Sequence, residues 1–209
     1  MRIAVIGAGN MGGALARALN VAGHTVTVTA RNPAHAEKVA GDFKMAAAAS
    51  NREAVQDADM VVLAVPSKAV AAVVEDLDDA LGEAIVVDPT NPSGLDREEI
   101  LRGSASLAEA ILLLAPGIRV VKAFNTVFAS RLNDPVVNGV PLDGFYAGDD
   151  PEAKQVVAGL LAEMGFRPID TGELLTARVL ELMAFLNIDL NLRRGWPWQS
   201  GWKLLGPTG

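Results

Sequence analysis

The sequence predicts an α/β fold: a doubly wound, mainly parallel sheet closed by a long C-terminal helix and a tail. Three observations carry that reading. Short apolar runs alternate with longer amphipathic segments, the pattern of strands joined by crossover helices. The first apolar run leads straight into a glycine-rich turn that opens a helix. Half of the 209 residues are hydrophobic, so a sizeable core can be buried.

The elements follow in order. Arg2–Ile6 is a buried strand, and Asn10–Val21 a helix ended by Gly23. Thr25–Thr29 alternates β-branched residues and reads as the second strand. Asn32-Pro33 then opens a helix, Asn as N-cap and Pro at the first helical position. A short Phe43–Ala47 segment precedes a helix from Ser50. Met60–Val65 is the fourth strand, stopped by Pro66, and Ser67 caps a helix to Leu77. Ala84–Asp88 is the fifth strand. Ser104 or Ser106 starts a helix to Leu114, and Ile118–Ala123 is the sixth strand. Phe145–Ala147 is a short strand, Asp150-Pro151 begins a helix to Met164, and Phe166–Ile169 is a further strand. A long helix is expected from Glu173 to Arg194. The chain thus divides into a nucleotide-binding unit, residues 1–172, and a C-terminal helix and Trp-rich tail, residues 173–209. That second part is expected to pack on the same domain or on a partner subunit.

Composition removes several classes of function. Lys plus Arg number 18 against 25 Asp plus Glu, a net charge of −7, so no nucleic-acid footprint exists. Without cysteine there is no disulfide, thiol catalysis or thiolate metal site, and with two histidines no metal role is expected. A strand that starts almost at Met1 leaves no room for a signal peptide. No apolar run approaches the ~20 residues of a membrane span. The expected location is the cytoplasm, with no membrane partner.

Gly7-Ala8-Gly9-Asn10-Met11-Gly12 is a G-x-G-x-x-G between a strand and a helix. In that context the first glycine permits a tight turn, the second admits a pyrophosphate, and the third lets helix and strand pack closely. The helix start then offers free N–H groups and a positive dipole end to the anion. The cofactor is chosen at the end of the second strand. NAD-binding versions place a carboxylate there, ~20 residues after the glycines. Here Thr29-Ala30-Arg31-Asn32 puts Arg31 19 positions beyond Gly12 (31 − 12). A guanidinium binds a 2′-phosphate that a carboxylate would repel, so the expected cofactor is NADP(H). His35 is placed to add a donor to the same phosphate.

Ligands of open α/β sheets lie beyond the carboxyl ends of the strands. Ala64-Val65-Pro66-Ser67 would pass beside the adenosine and ribose. Pro89-Thr90-Asn91-Pro92 and Ala123-Phe124-Asn125-Thr126 would reach the nicotinamide, where Asn91 and Asn125 can pair with a carboxamide. Lys122 adjoins the last segment and reads as a solvated charge.

These segments carry a family resemblance, together with Val121–Asn125, Ala147–Lys154 and Met164–Asp170. The chain resembles the NADP-dependent oxidoreductases that use the deazaflavin coenzyme F420. It is also similar to the cytosolic reductase domain of the six-transmembrane epithelial antigen of prostate metalloreductases. The likeness extends to about residue 187. It implies a Rossmann-like domain and hydride transfer between NADP(H) and a deazaflavin or flavin ring. It also implies cofactor contacts at Gly7, Gly9, Asn10, Met11, Gly12, Ala30, Arg31, Val65, Pro66 and Asn125. The chain departs at one position: the deazaflavin enzymes carry His where Asn125 stands, and Phe124-Asn125 follows the metalloreductases.

Such a transfer needs rings held at close distance in a dry pocket and no acid, base or nucleophile, so no catalytic residue is expected. Two rival readings remain, an imine or pyrroline-carboxylate reductase and an NADPH-sensing module without turnover. Trp196, Trp198 and Trp202 either line the site of a planar second substrate or anchor the tail. The C-terminal helix carries apolar residues on more than one face, which points to a homodimer.

Overall fold

The computed structural model describes residues 1–93, 101–102 and 105–206. Its strands are β1 (Arg2–Ile6), β2 (Thr25–Thr29), β3 (Ala46–Ala47), β4 (Met60–Leu63), β5 (Ile85–Asp88), β6 (Arg119–Ala123), β7 (Val136–Val137), β8 (Val140–Pro141), β9 (Asp143–Gly148) and β10 (Arg167–Asp170). The described helices are α1 (Asn10–Val21), α2 (Pro33–Phe43), α3 (Asn51–Val55), α4 (Ser67–Leu81), α5 (Leu107–Leu114), α6 (Pro151–Glu163) and α7 (Ala177–Arg194).

Eight strands form one sheet in the order β10-β9-β6-β5-β4-β1-β2-β3. From β6 to β3 every neighbouring pair is parallel, whereas β9 joins β6 antiparallel and carries β10 parallel to itself. The chain order reverses between β1 and β4, which makes that crevice the switch point of a Rossmann-like sheet. Strand periodicity explains the two layers. Ile3 and Val5 join a core with Leu15, Leu19 and Leu160 on one face, while Ala4 and Ile6 join Val74, Leu77 and Ile111 on the other. β4 and β5 are buried at every position, as central parallel strands must be. β10 lies at an edge, where Pro168 is tolerated.

Asn32, Ser50, Ser106 and Asp150 cap α2, α3, α5 and α6 as their sequence context predicts. Ser104, the other candidate start, lies outside the described residues. Ser67 is not a cap. It is the first residue of α4, behind Pro66, and its hydroxyl pairs with that of Ser93 at 3.1 Å. α4 continues past Leu77 because Leu81 is still buried, and it ends at Gly82 with φ +49°. Phe43 belongs to α2, so only Ala46–Ala47 of the expected segment is strand.

The long helix begins at Ala177, after a 3₁₀ turn at Leu174–Thr176. Its buried face is Ala177, Leu180, Glu181, Ala184, Phe185, Asn187 and Asn191, while Val179, Leu186 and Leu192 are exposed. Three polar residues therefore face inward where apolar ones were expected, each held by the partners described below. The Trp-rich tail packs on its own chain. Ser130 Oγ donates to the Trp198 carbonyl at 2.5 Å, Arg131 Nε to that of Gln199 at 2.6 Å, and Asp143 N–H to that of Trp202 at 3.0 Å. No helix among the described residues is long and apolar enough to cross a membrane.

Candidate cofactor and substrate site

The glycine loop sits at the switch point, and its three glycines answer to different demands. Gly7 has φ +116°, and a Cβ there would collide with the Ala64 carbonyl that follows β4. A Cβ on Gly12 would collide with the carbonyl of Gly7. The protein's own packing thus requires both. Gly9 has an ordinary φ of −77°, and a Cβ there would meet nothing within 4 Å. The protein has no internal reason for a glycine at that point; a pyrophosphate lying against the backbone would supply one. The start of α1 has no side-chain cap and no acidic residue in its first turn, so its N–H groups remain open to an anion.

Ala30, Arg31, Asn32 and His35 lie at the carboxyl end of β2, beside β1, where the Gly7 N–H bonds the Thr29 carbonyl at 2.8 Å. Arg31 and His35 are exposed. The Asn32 side chain is engaged in capping Ala34 at 3.2 Å.

A cavity of about 400 Å³ opens beyond the strand ends, within the usual range of ligand pockets. It brings together Asn10 and Met11 of α1, Val65, Pro66 and Ser67 after β4, Asn91 after β5 and Asn125 after β6. Phe128, Ala129, Ala184, Asn187 and Ile188 complete the far wall. Pro92 and Ala123 are buried and do not line the cavity, Ala123 lying within the core. The glycines and the β2 end lie outside it.

Backbone geometry fixes one free acceptor. Phe124, buried and at φ +65°, turns the chain sharply at the end of β6. Asn91 Nδ2 donates to the Asn125 main-chain carbonyl at 2.8 Å, so Asn91 presents its oxygen to the Asn125 side chain. Asn125 Nδ2 donates to that oxygen at 2.9 Å. Asn125 Oδ1 is then a buried acceptor without a partner, and the Thr126 hydroxyl beside it is also unpaired. A carboxamide N–H is what such an acceptor lacks.

Lys122 overturns the reading of a solvated charge. It is fully buried, and Nζ donates to Asp88 at 2.8 Å, to Glu181 at 2.6 Å and to the Thr90 carbonyl at 2.6 Å. Asp88 also holds the Thr90 N–H at 2.8 Å and its hydroxyl at 2.5 Å. Burial pushes the Glu181 carboxyl above its ordinary range, against the pull of Lys122. This cluster locks the turn that carries Asn91 and ties α7 to the sheet. Nothing in the local sequence pairs residues 88, 122 and 181.

The far wall was equally silent in the sequence. Ala184, Asn187 and Ile188 were read only as part of a helix, because the face a helix buries is set by its docking angle. No histidine lines the cavity, and no cluster of metal-binding side chains exists among the described residues. The site can bind and orient two rings, which is what hydride transfer between them asks of the protein.

Known proteins resemble this chain in sequence and fold. Residues 2–92 match the family model described as NADP oxidoreductase coenzyme F420-dependent. The chain is 34% identical to the F420-dependent NADP reductase of Methanothermobacter thermautotrophicus, over 92% of this chain and 90% of that protein. It is 33% identical to metalloreductase STEAP3 of Rattus norvegicus over 93% of this chain, but only 38% of that longer protein. A solved structure from Arthrobacter sp. FB24, provisionally assigned as an F420-dependent NADP reductase, aligns with TM-score 0.85. Its identity is 28%, over 97% of this chain and 99% of that one. The chain belongs to the family of coenzyme F420-dependent NADP oxidoreductases and is an NADP-dependent oxidoreductase.

Proposed function

We propose that the protein transfers a hydride between NADP(H) and a tricyclic deazaflavin, coenzyme F420, or its flavin counterpart. The observation that carries this is the cavity itself, which runs from the α1 start past the unpartnered Asn125 Oδ1 to α7. When bound, NADPH supplies the hydride. Gly7, Gly9 and Gly12 admit the pyrophosphate, with Asn10 and Met11 giving N–H groups. Arg31, beside Ala30, Asn32 and His35, holds the 2′-phosphate. Val65, Pro66 and Ser67 flank the ribose, and Asn125, held by Asn91, accepts from the carboxamide. Pro92, next to Asn91, and Ala123, at the end of β6, belong to the same two strand ends though neither lines the cavity.

The names of the archaeal relatives support coenzyme F420 as acceptor. The likeness to the metalloreductase, with Phe124-Asn125 at the site, supports a flavin. The reading includes a homodimer seated on the outer face of α7, where Val179 and Leu186 remain exposed.

The test is spectrophotometric turnover of NADPH with coenzyme F420, with FMN, and with a ferric chelate plus flavin in separate reactions. Reduction of the deazaflavin alone assigns the acceptor. Turnover only with flavin or iron moves the protein to the metalloreductase chemistry. Tight NADPH binding without turnover would sink both proposed acceptors.

A further inference from the structure

We propose that Asn187 is the residue of α7 that recognises the hydride acceptor, by donating a hydrogen bond to a ring carbonyl oxygen. The inference rests on the reading that the cavity holds a second, planar substrate.

The orientation of the Asn187 amide follows from a chain of contacts that starts at the backbone. The Trp198 N–H, which can only donate, points at Asn191 Oδ1 at 3.2 Å. Asn191 must therefore turn its Nδ2 the other way. That Nδ2 meets Asn187 Oδ1 at 3.1 Å, the Asn187 carbonyl at 2.8 Å and Ser200 Oγ at 2.7 Å. The Ser200 hydroxyl donates in turn to Asn187 Oδ1 at 2.7 Å. With two donors on its oxygen, the Asn187 amide cannot flip without setting one NH₂ group against another. The opposite end, Nδ2, is buried and has no partner.

Asn187 is 5% exposed and lines the cavity between Ala184 and Ile188. A buried donor left unmatched is costly, so its partner is to be sought in what the cavity takes up. Asn125, on the wall from β6, offers a fixed acceptor, and Asn187, on the wall from α7, offers a fixed donor. A carboxamide N–H matches the first. A carbonyl oxygen, as on a deazaflavin or flavin ring, matches the second. The tryptophan tail then has a task without touching substrate: through Trp198 and Ser200 it holds the amide in register.

The experiment uses the full chain and two variants, Asn187→Asp and Asn187→Leu. The aspartate can still accept from Asn191 and Ser200 but loses the donor; the leucine removes both functions. Coenzyme F420 and FMN serve as carbonyl-bearing acceptors, and N-methylphenazinium as a planar tricycle without a carbonyl. We expect the KM for the carbonyl-bearing ring to rise about tenfold or more in both variants. The ratio of kcat/KM for that ring to kcat/KM for phenazinium should fall by a similar factor, with the Kd for NADPH unchanged. An unchanged ratio overturns the inference. So does a loss of NADPH affinity as large as the rise in KM, since Asn187 would then serve the nicotinamide. If the wild type reduces neither carbonyl-bearing ring, the proposed function fails separately. Deazaflavin fluorescence with NADP⁺-saturated protein then decides the present point: binding weakened tenfold in Asn187→Asp supports it, and equal or absent binding refutes it.

Discussion

Gly9 and Gly12 share one motif, yet a methyl group at each should have opposite consequences. At Gly12 the added carbon strikes the Gly7 carbonyl, backbone that cannot move aside, so Gly12→Ala should lose stability and NADPH binding together. At Gly9 the carbon enters open space on an ordinary backbone. Gly9→Ala should stay within about 0.5 kcal/mol of the parent in thermal melts. Its NADPH affinity should nonetheless drop at least tenfold by titration, because the methyl occupies the approach of the pyrophosphate. An unchanged affinity would remove the phosphate from this loop. Arg31 is the second residue to test. Arg31→Ala should weaken NADPH about ten- to hundredfold and leave NADH nearly unchanged, the difference being the charge-assisted bonds to one phosphate. Equal losses for both cofactors would refute the assignment. The loop and the strand-end position of Arg31 were legible in the sequence because both are local properties. Asn187 was not, because its value lies in what Trp198 and Ser200 do to it from farther along the chain.

Between elements, the buried Lys122 cluster fastens β5, β6 and α7. Removing the ammonium alone leaves Asp88 and Glu181 buried beside each other without compensation. Lys122→Met should therefore cost about 3–5 kcal/mol, read as a Tm lowered by roughly 10 °C. Adding Glu181→Gln should recover part of that loss. If the single variant melts like the parent, the cluster is not a structural clamp. The strands of the main sheet were plain in the sequence, since alternation and unbroken apolar runs report burial directly; the short, largely exposed β7–β8 pair was not. α7 was misjudged in its inward face, because Glu181, Asn187 and Asn191 are buried against polar partners contributed by other segments.

At the scale of the whole molecule, Asp143 joins the antiparallel edge of the sheet to the C-terminal tail. Its carboxylate is fully buried and accepts from Arg167 at 2.7 Å, Lys203 at 3.0 Å and the Leu204 N–H at 2.6 Å. Burial alone would raise its pKa; the Arg167 fork, the Leu204 N–H and Lys203 outweigh that and hold it below its ordinary 3.8. A carboxyl with a lowered folded pKa stabilises fully above the unfolded value and loses that contribution as pH falls through the folded one. The tail should therefore loosen below about pH 4, visible as a change in tryptophan fluorescence ahead of global unfolding. Asp143→Asn should produce the same loosening at neutral pH and raise the acceptor KM, since the tail orients Asn187. A tail equally protected from proteolysis in the variant would refute the link.

By itself the sequence determined the layered α/β architecture, the glycine loop, the arginine at the end of β2 and the family. Each depends on residues near one another along the chain or on periodicities of two and 3.6. Tertiary structure alone decided that a strand-end lysine would be a buried clamp, that α7 would turn three polar residues inward, and that the tail would lie on its own fold. Those outcomes depend on which distant groups meet in a low-dielectric interior, where a polar atom without a partner is costly.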